Sequence, residues 1–131
     1  MENAHKTILV VDDDPYIVDL LSRQLKAKGF NVIQTTDPET AYNLAEKERP
    51  KLVITDSVIP RMDGYALFSA LKSNPMTANI PAIMLTARAS AEDEQRALEA
   101  GFIDFIPKPV QPLRIVSRVR RVFELSRKYK L

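Results

Sequence analysis

Short apolar runs alternate with longer amphipathic stretches five times along the chain. Runs of this length, bounded by turn residues, are typical of buried β-strands. We predict strands at Lys6–Val11, Phe30–Thr35, Lys51–Thr55, Ile80–Leu85 and Phe102–Ile106. The second run is the more polar, which favours a position near an edge of the sheet. Repeated strand–helix alternation predicts a doubly wound α/β fold, a parallel sheet with helices on both faces.

Helix boundaries are marked by capping residues. Two Asp-Pro pairs each place an N-cap side chain before a proline at the first helical position. Ser90 and Asp93 resemble a capping box, and Gly29 is a candidate left-handed helix end. In the first helix, the apolar face is expected to comprise Ile17, Leu20, Leu21 and Leu25. We predict helices from Asp14-Pro15 to Lys28, from Asp37-Pro38 to Glu48, through Ala66–Leu71, from Ser90 to Ala100 and from about Pro112 to the C-terminus.

Composition excludes several classes of site. The 131 residues contain no cysteine, so neither a disulfide framework nor a thiolate metal site can form. A single histidine, His5, cannot build a histidine metal cluster. The formal net charge of +2 is too small to indicate nucleic-acid binding by the whole domain. A length of 131 residues is that of one ordinary domain, so we expect a single domain over residues 1–131. Membrane-spanning runs and a signal peptide are absent from the sequence, so we expect this domain to lie in the cytoplasm without a membrane partner.

The last predicted helix is strongly basic. From Pro112 onward there are seven Lys or Arg residues and one acid, Glu124. A solvated helix face is the simplest interpretation. The alternative is a basic patch for a partner, or a linker from Arg118 to Lys130 that leads to an output domain.

Polar side chains with distinctive chemistry follow four of the predicted strands. Asp12 and Asp13 follow the first strand, Asp56 the third, Thr86 the fourth and Lys108 the fifth. Because the carboxyl ends of parallel strands share one edge of a sheet, we expect these side chains to converge. Carboxylates are ligands that Mg²⁺ prefers, and an ammonium group binds phosphate. The set therefore predicts a site for a divalent cation and a phosphoryl group.

Each of these residues also has a simpler interpretation. Asp56 could accept a phosphoryl group, as carboxylate nucleophiles do, or be a surface acid. Thr86 could donate to a phosphate oxygen, with the small Ala87 leaving room, or bond to the local backbone. Lys108 could be a fixed cation or a surface lysine in a turn, and its bond to Pro109 is a candidate cis peptide.

Four motifs together resemble the receiver domain of two-component response regulators, over about Thr7 to Lys128. The motifs are Ile8–Pro15, Asp56 followed by Pro60-Arg61-Met62-Asp63-Gly64, Leu85-Thr86-Ala87, and Lys108-Pro109. The resemblance implies a flavodoxin-like fold with a five-stranded parallel sheet of order 2-1-3-4-5. It implies a regulatory domain rather than an enzyme, one that catalyses only its own phosphorylation and dephosphorylation.

The same resemblance implies roles for individual residues. Asp56 would be phosphorylated by a sensor histidine kinase or a histidine phosphotransfer protein. Thr86 and Lys108 would contact the phosphoryl group, and Thr86 would act with Phe105 as a switch, although Phe105 is also a plausible core residue. The implied Mg²⁺ ligands are Asp12, Asp13, Asp56 and the backbone carbonyl of Val58.

Three other functions share part of this pattern. A haloacid-dehalogenase-type magnesium phosphatase would place a second Asp at the position of Val58, and it would have a cap domain. A flavodoxin would carry Ser, Thr and Gly where this chain has three aspartates. A phosphorylation-independent interaction domain usually lacks one of the key residues, and this chain retains all of them.

The expected output surface comprises the fourth helix, fifth strand and fifth helix, because Thr86 and Phe105 adjoin them. A phosphorylation-promoted homodimer could pair acids of one copy with arginines of the other. The residues expected to be exposed there are Glu92, Glu94, Arg96, Glu99, Arg114, Arg118 and Arg121.

Overall fold

Five parallel strands form one sheet in a computed structural model that describes residues 6–59 and 61–129. The strands are β1 (Thr7–Val11), β2 (Asn31–Thr35), β3 (Leu52–Thr55), β4 (Ala82–Thr86) and β5 (Asp104–Pro107). Their order is β2-β1-β3-β4-β5, as the family resemblance implied. The more polar β2 lies at an edge, which confirms the prediction. His5, Pro60 and Lys130 lie outside the described residues.

Five helices connect and follow the strands, and their ends confirm the capping signals. They are α1 (Pro15–Ala27), α2 (Pro38–Glu48), α3 (Gly64–Lys72), α4 (Ala91–Ala100) and α5 (Pro112–Tyr129). The Asp14 and Asp37 carboxylates accept from backbone N–H groups in the first turns of α1 and α2. Both bonds of the Ser90–Asp93 capping box are present. Gly29 adopts a positive φ of 95°, as expected at a helix end.

All five strands begin later than their apolar runs suggested, β1, β2 and β3 by one residue and β4 and β5 by two. Ile80 donates its backbone N–H to Thr77 in the turn before β4. Phe102 likewise donates to the Ala97 carbonyl at the end of α4. Because these N–H groups close turns, they are not available to the sheet, and the apolar side chains enter the core from the connections.

Alternate residues of the strands fill two cores, one on each face of the sheet. Ile8 and Val10 of β1 pack with side chains of α1 and α5. Leu9 and Val11 pack with side chains of α2, α3 and α4. This alternation confirms the predicted arrangement of helices on both faces.

The buried face of α1 is rotated from the predicted one. Val18 and Ser22 are buried together with Leu21 and Leu25, at the spacing of one helical stripe. Leu20, predicted to lie on this face, is only half-buried. Hydrophobicity could not identify Ser22, whose hydroxyl has no hydrogen-bond partner within the described part of the chain. The rotation leaves apolar side chains of α1 near the carboxyl edge of the sheet.

Gly64 brings the start of α3 against the end of β3. A Cβ atom at this position would lie 2.1 Å from the Asp56 carbonyl oxygen, far inside van der Waals contact. The Gly64 N–H donates to the Ser57 carbonyl at 3.0 Å. The loop after β3 is therefore tightly closed at the position where the candidate site begins.

Among the described residues, no helix combines the length and apolar character needed to cross a membrane.

Candidate functional site

The carboxyl edge of the sheet brings together the charged side chains that follow β1, β3 and β5. The Lys108 ammonium lies 2.6 Å from Asp12 Oδ2 and 3.0 Å from Asp56 Oδ2. One ion-pair network centred on Lys108 thus joins residues that are far apart in the sequence. Asp12 and Asp56 are separated by 44 positions, and Asp56 and Lys108 by 52. The Lys108–Pro109 peptide is cis, which confirms the prediction.

The acidic part of the site consists of Asp12, Asp13 and Asp56. One oxygen of each carboxylate lies within 4.8 Å of the others. Asp12 and Asp56 are buried, and Asp13 is exposed. Asp12 Oδ1 accepts from the Asp14 N–H at 3.0 Å, whereas Oδ2 has the charge of Lys108 nearby but no hydrogen bond of regular geometry. A buried carboxylate oxygen with spare coordination capacity, beside two other carboxylates, fits a hard divalent cation such as Mg²⁺.

Burial and ion pairing act in opposite directions on the pKa values of Asp12 and Lys108. Burial raises the pKa of Asp12 above its ordinary value of 3.8, although the ion pair with Lys108 and the hydrogen bond from the Asp14 N–H oppose the shift. Burial alone would lower the pKa of Lys108, but its close contacts with the Asp12 and Asp56 carboxylates outweigh burial and raise that pKa. Lys108 is therefore a stable cation at neutral pH.

Asp56 is held at both of its carboxylate oxygens. Oδ2 pairs with Lys108, and Oδ1 accepts from the Val58 N–H at 3.3 Å. The backbone N–H of Asp56 donates to the Val11 carbonyl at 3.1 Å, which continues the sheet beyond β3. Val58 itself is 45% exposed at the rim of the site. The Asp56 carboxylate is thus oriented in advance, at an edge open to an incoming group.

The Thr86 hydroxyl is held by a residue that the sequence analysis missed. Ser57 Oγ lies 2.6 Å from Thr86 Oγ1, and the Arg88 N–H donates to Thr86 Oγ1 at 3.0 Å. Ser57 follows the apolar run that ends in Asp56, and this position was the one signal that could have identified it. Its partner lies on another strand, so the contact itself could not be found from sequence spacing.

Phe105 lies beside a small polar cavity. It is buried on β5 and helps to line a space of about 220 Å³, together with Ser57, Thr86 and Tyr65. The Arg96 guanidinium lies 4.0 Å from the centroid of the Tyr65 ring at the outer side. Phe105 is therefore both a core residue and a neighbour of Thr86.

Comparison with known proteins identifies the family. The family model of the response regulator receiver domain matches residues 8–120. An uncharacterized 14.6 kDa protein of Leptolyngbya boryana is 42% identical over 118 residues, which are 90% of this chain and 90% of that protein. The alkaline phosphatase synthesis transcriptional regulatory protein PhoP of Bacillus subtilis is 36% identical over 93% of this chain and 50% of its own length. This chain thus spans about half the length of PhoP.

Structural comparison gives the same result. The crystal structure of a response regulator from Desulfuromonas acetoxidans superposes with a TM-score of 0.86 at 40% sequence identity, covering 92% of this chain and 98% of that one. The chain belongs to the response regulator receiver domain family of two-component systems. Receiver domains bind Mg²⁺ at an acidic pocket and interact with histidine kinases or phosphotransfer proteins. This chain has such an acidic group.

The raised pKa of Asp12 predicts an unusual pH dependence. In EDTA, the native state should bind more protons at Asp12 than the unfolded state does, so the contribution of Asp12 to stability should fall as pH rises above 3.8. Urea unfolding of the wild type and Asp12→Asn at pH 3 to 7 (about the titration range of a carboxyl group) measures this difference. The stability of the wild type relative to the variant should decrease with pH, and an increase would contradict the assignment.

Proposed function

We propose that this domain receives a phosphoryl group on Asp56 from a histidine kinase or a histidine phosphotransfer protein. The observation that carries the proposal is the buried Asp56 carboxylate beside Lys108 and two further carboxylates at one edge of the sheet. The covalent change would then alter the surface formed by α4, β5 and α5.

The transfer requires little covalent chemistry from the protein. An Asp56 carboxylate oxygen forms a bond to phosphorus while the bond between phosphorus and the donor histidine nitrogen breaks. The Lys108 ammonium, now shared between Asp12 and Asp56, offsets negative charge on the phosphoryl oxygens. Its position on the loop after β5 keeps this charge in place before the donor arrives.

The acidic group is suited to a bound Mg²⁺ ion. The residues that would hold it are Asp12, Asp13 and Asp56, together with the backbone carbonyl of Val58. Bound Mg²⁺ supplies positive charge that stabilises the phosphoryl oxygens. Lys108 offsets only part of the charge of the three acids, and a divalent cation would offset the remainder.

The alternative function, that of a magnesium phosphatase, requires a general acid that this chain does not have at the expected position. A magnesium phosphatase with an aspartate nucleophile needs a proton donor near the leaving group, and Val58 occupies the expected position. Its hydrocarbon side chain, although exposed at the rim, cannot transfer a proton. A phosphorylation-independent interaction domain would have no need of Asp12, Asp13, Asp56, Thr86 and Lys108 together.

We expect acetyl phosphate with Mg²⁺ to phosphorylate the wild type once, at Asp56, as mapped by mass spectrometry after borohydride trapping. EDTA and Asp56→Asn should each abolish the adduct. Asp13→Ala should weaken Mg²⁺ binding, whereas Asp14→Ala should instead cost about 1 kcal/mol of stability because it removes the N-cap of α1. Modification that persists in Asp56→Asn or in EDTA would refute the proposal.

An apolar groove beside Lys108 is a suitable docking surface for the phosphoryl donor. The groove has a volume of about 360 Å³ and is lined by Tyr16, Ile17, Leu20 and Pro109. Tyr16 is 70% exposed on the first turn of α1. Because Lys108 also lines the groove, a donor helix seated there would present its histidine next to Asp56.

This surface predicts a difference between protein and small-molecule donors. Tyr16→Ala should slow transfer from a histidine phosphotransfer protein by about fivefold, the effect of losing one aromatic contact at an interface. Phosphorylation by acetyl phosphate should be unchanged. Met76→Ala, which removes an exposed apolar side chain elsewhere, is the control. Equal slowing with both donors would instead place the effect within the site.

The surface of α4, β5 and α5 supports a phosphorylation-promoted homodimer in part. It exposes Leu98 and Leu113 together with Ile103 just before β5. The expectation that Arg118 is exposed is wrong, because Arg118 is half-buried and donates to both Asp104 carboxylate oxygens, at 2.8 and 2.9 Å. Arg114 and Arg121 are exposed as predicted and could pair with the acids of α4 in a second copy.

Arg121→Glu therefore tests dimer formation more cleanly than a substitution of Arg118, which would also break the ion pair with Asp104. We expect beryllofluoride with Mg²⁺ to shift the wild type from monomer to dimer in sedimentation velocity, and Arg121→Glu to weaken that dimer. Arg23→Glu makes the same charge change on α1 and should have no effect. A wild-type monomer under both conditions would reject the homodimer.

A further inference from the structure

We propose that Ser57 is a positioning residue that holds the Thr86 hydroxyl until Asp56 is phosphorylated. The inference rests on the proposed function and concerns a residue outside the predicted site. Its basis is the contact of 2.6 Å between Ser57 Oγ and Thr86 Oγ1. Both residues are buried, with exposed fractions of 9% and 1%, so water competes little with this bond.

Ser57 is the fixed member of the pair. Its carbonyl accepts from the Gly64 N–H at 3.0 Å, and its Cα lies against the position that a Gly64 side chain would occupy. The preceding residue, Asp56, is tied to Val11 by its backbone N–H. The backbone around Ser57 is therefore closed on both sides, and its hydroxyl has a defined position next to Asp56.

Thr86 is the member that can move. It is the last residue of β4, and the segment between it and α4 at Ala91 contains no regular secondary structure. The cavity of about 220 Å³ beside Ser57, Thr86 and Phe105 leaves room for side-chain rearrangement. A change in the direction of the Thr86 hydroxyl can thus occur without unfolding β4.

The bond to Ser57 competes with a bond to a phosphoryl group. The Thr86 oxygen already accepts from the Arg88 N–H, and its hydroxyl has a single proton. That proton cannot be donated to Ser57 and to a phosphoryl oxygen at the same time. If Ser57 is the donor, movement of Thr86 toward the phosphoryl group breaks the contact as well. A charged acceptor forms the stronger bond, so phosphorylation can displace Ser57.

Loss of the Ser57 hydroxyl should therefore favour the activated state. In Ser57→Ala, the Thr86 hydroxyl loses a buried partner before activation, whereas little is lost after activation, when Ser57 faces a polar cavity. We expect beryllofluoride with Mg²⁺ to bind Ser57→Ala about fivefold more tightly than the wild type, the effect of one neutral hydrogen bond. Binding is measured by titrating the full chain with beryllofluoride in the presence of Mg²⁺ and recording the amide chemical shifts at each step.

Three variants separate positioning from a general structural effect. Ser57→Ala should have no effect on beryllofluoride affinity in a Thr86→Val background, because the partner hydroxyl is already absent. Ser57→Thr retains a hydroxyl and should restore the wild-type affinity. Ser22→Ala removes another buried serine hydroxyl, on α1, and should leave the affinity unchanged.

A second measurement is made without beryllofluoride or Mg²⁺. In the free protein, the Arg88 amide resonance of Ser57→Ala should shift toward its position in the beryllofluoride complex. Urea unfolding in EDTA should also show coupling between Ser57→Ala and Thr86→Val in a double-mutant cycle. Zero coupling would overturn the hydrogen bond itself.

The outcomes distinguish this inference from the proposed function. If the wild type binds beryllofluoride and Ser57→Ala binds it with the same affinity, the role of Ser57 is overturned, whereas the proposed function is not. An effect of Ser57→Ala that persists in Thr86→Val would overturn it too, because the residue would then act by another route. A wild type that binds no beryllofluoride, or binds it equally in Asp56→Asn, would overturn the proposed function and the role of Ser57 together.

Discussion

The ion pairs of Lys108 with Asp12 and Asp56 are the interaction on which the site depends. They tie the loops that follow β1, β3 and β5, and they provide a cation next to two buried carboxylates. Removing one member of a buried ion pair leaves an uncompensated charge, at a cost of about 3–5 kcal/mol. The same ammonium that offsets charge on these carboxylates is thus in position to interact with a phosphoryl group, and its raised pKa keeps it charged.

The site combines a rigid part with a part that can respond. Gly64 and the hydrogen bonds at the end of β3 hold the backbone of Asp56 and Ser57 in place. Thr86 and Phe105, in contrast, adjoin a cavity at the start of the connection to α4. A new charge at the rigid part has room to alter the hydrogen bonds beside this cavity, and local changes of this kind can bias two states of a domain.

Local sequence signals identified most of the elements and the charged residues of the site. Asp12, Asp56 and Lys108 could be predicted because each follows an apolar strand, and strand ends meet at one edge in this class of sheet. The strand order came with the family resemblance rather than from periodicity. Strand starts were less accurate at Ile80 and Phe102, because an apolar side chain reports burial, whereas a strand requires backbone hydrogen bonds to its neighbours.

The sequence by itself determined the α/β class, the helix caps and the residue types that converge at the carboxyl edge, because these follow from local patterns and from the geometry of parallel sheets. Only the tertiary structure decided which side chains meet across elements. The contacts between Ser57 and Thr86 and between Arg118 and Asp104 join different elements, and the burial of Ser22 depends on how α1 is rotated on the sheet. Such contacts depend on side-chain directions in the packed domain, which the spacing of residues along the chain does not specify.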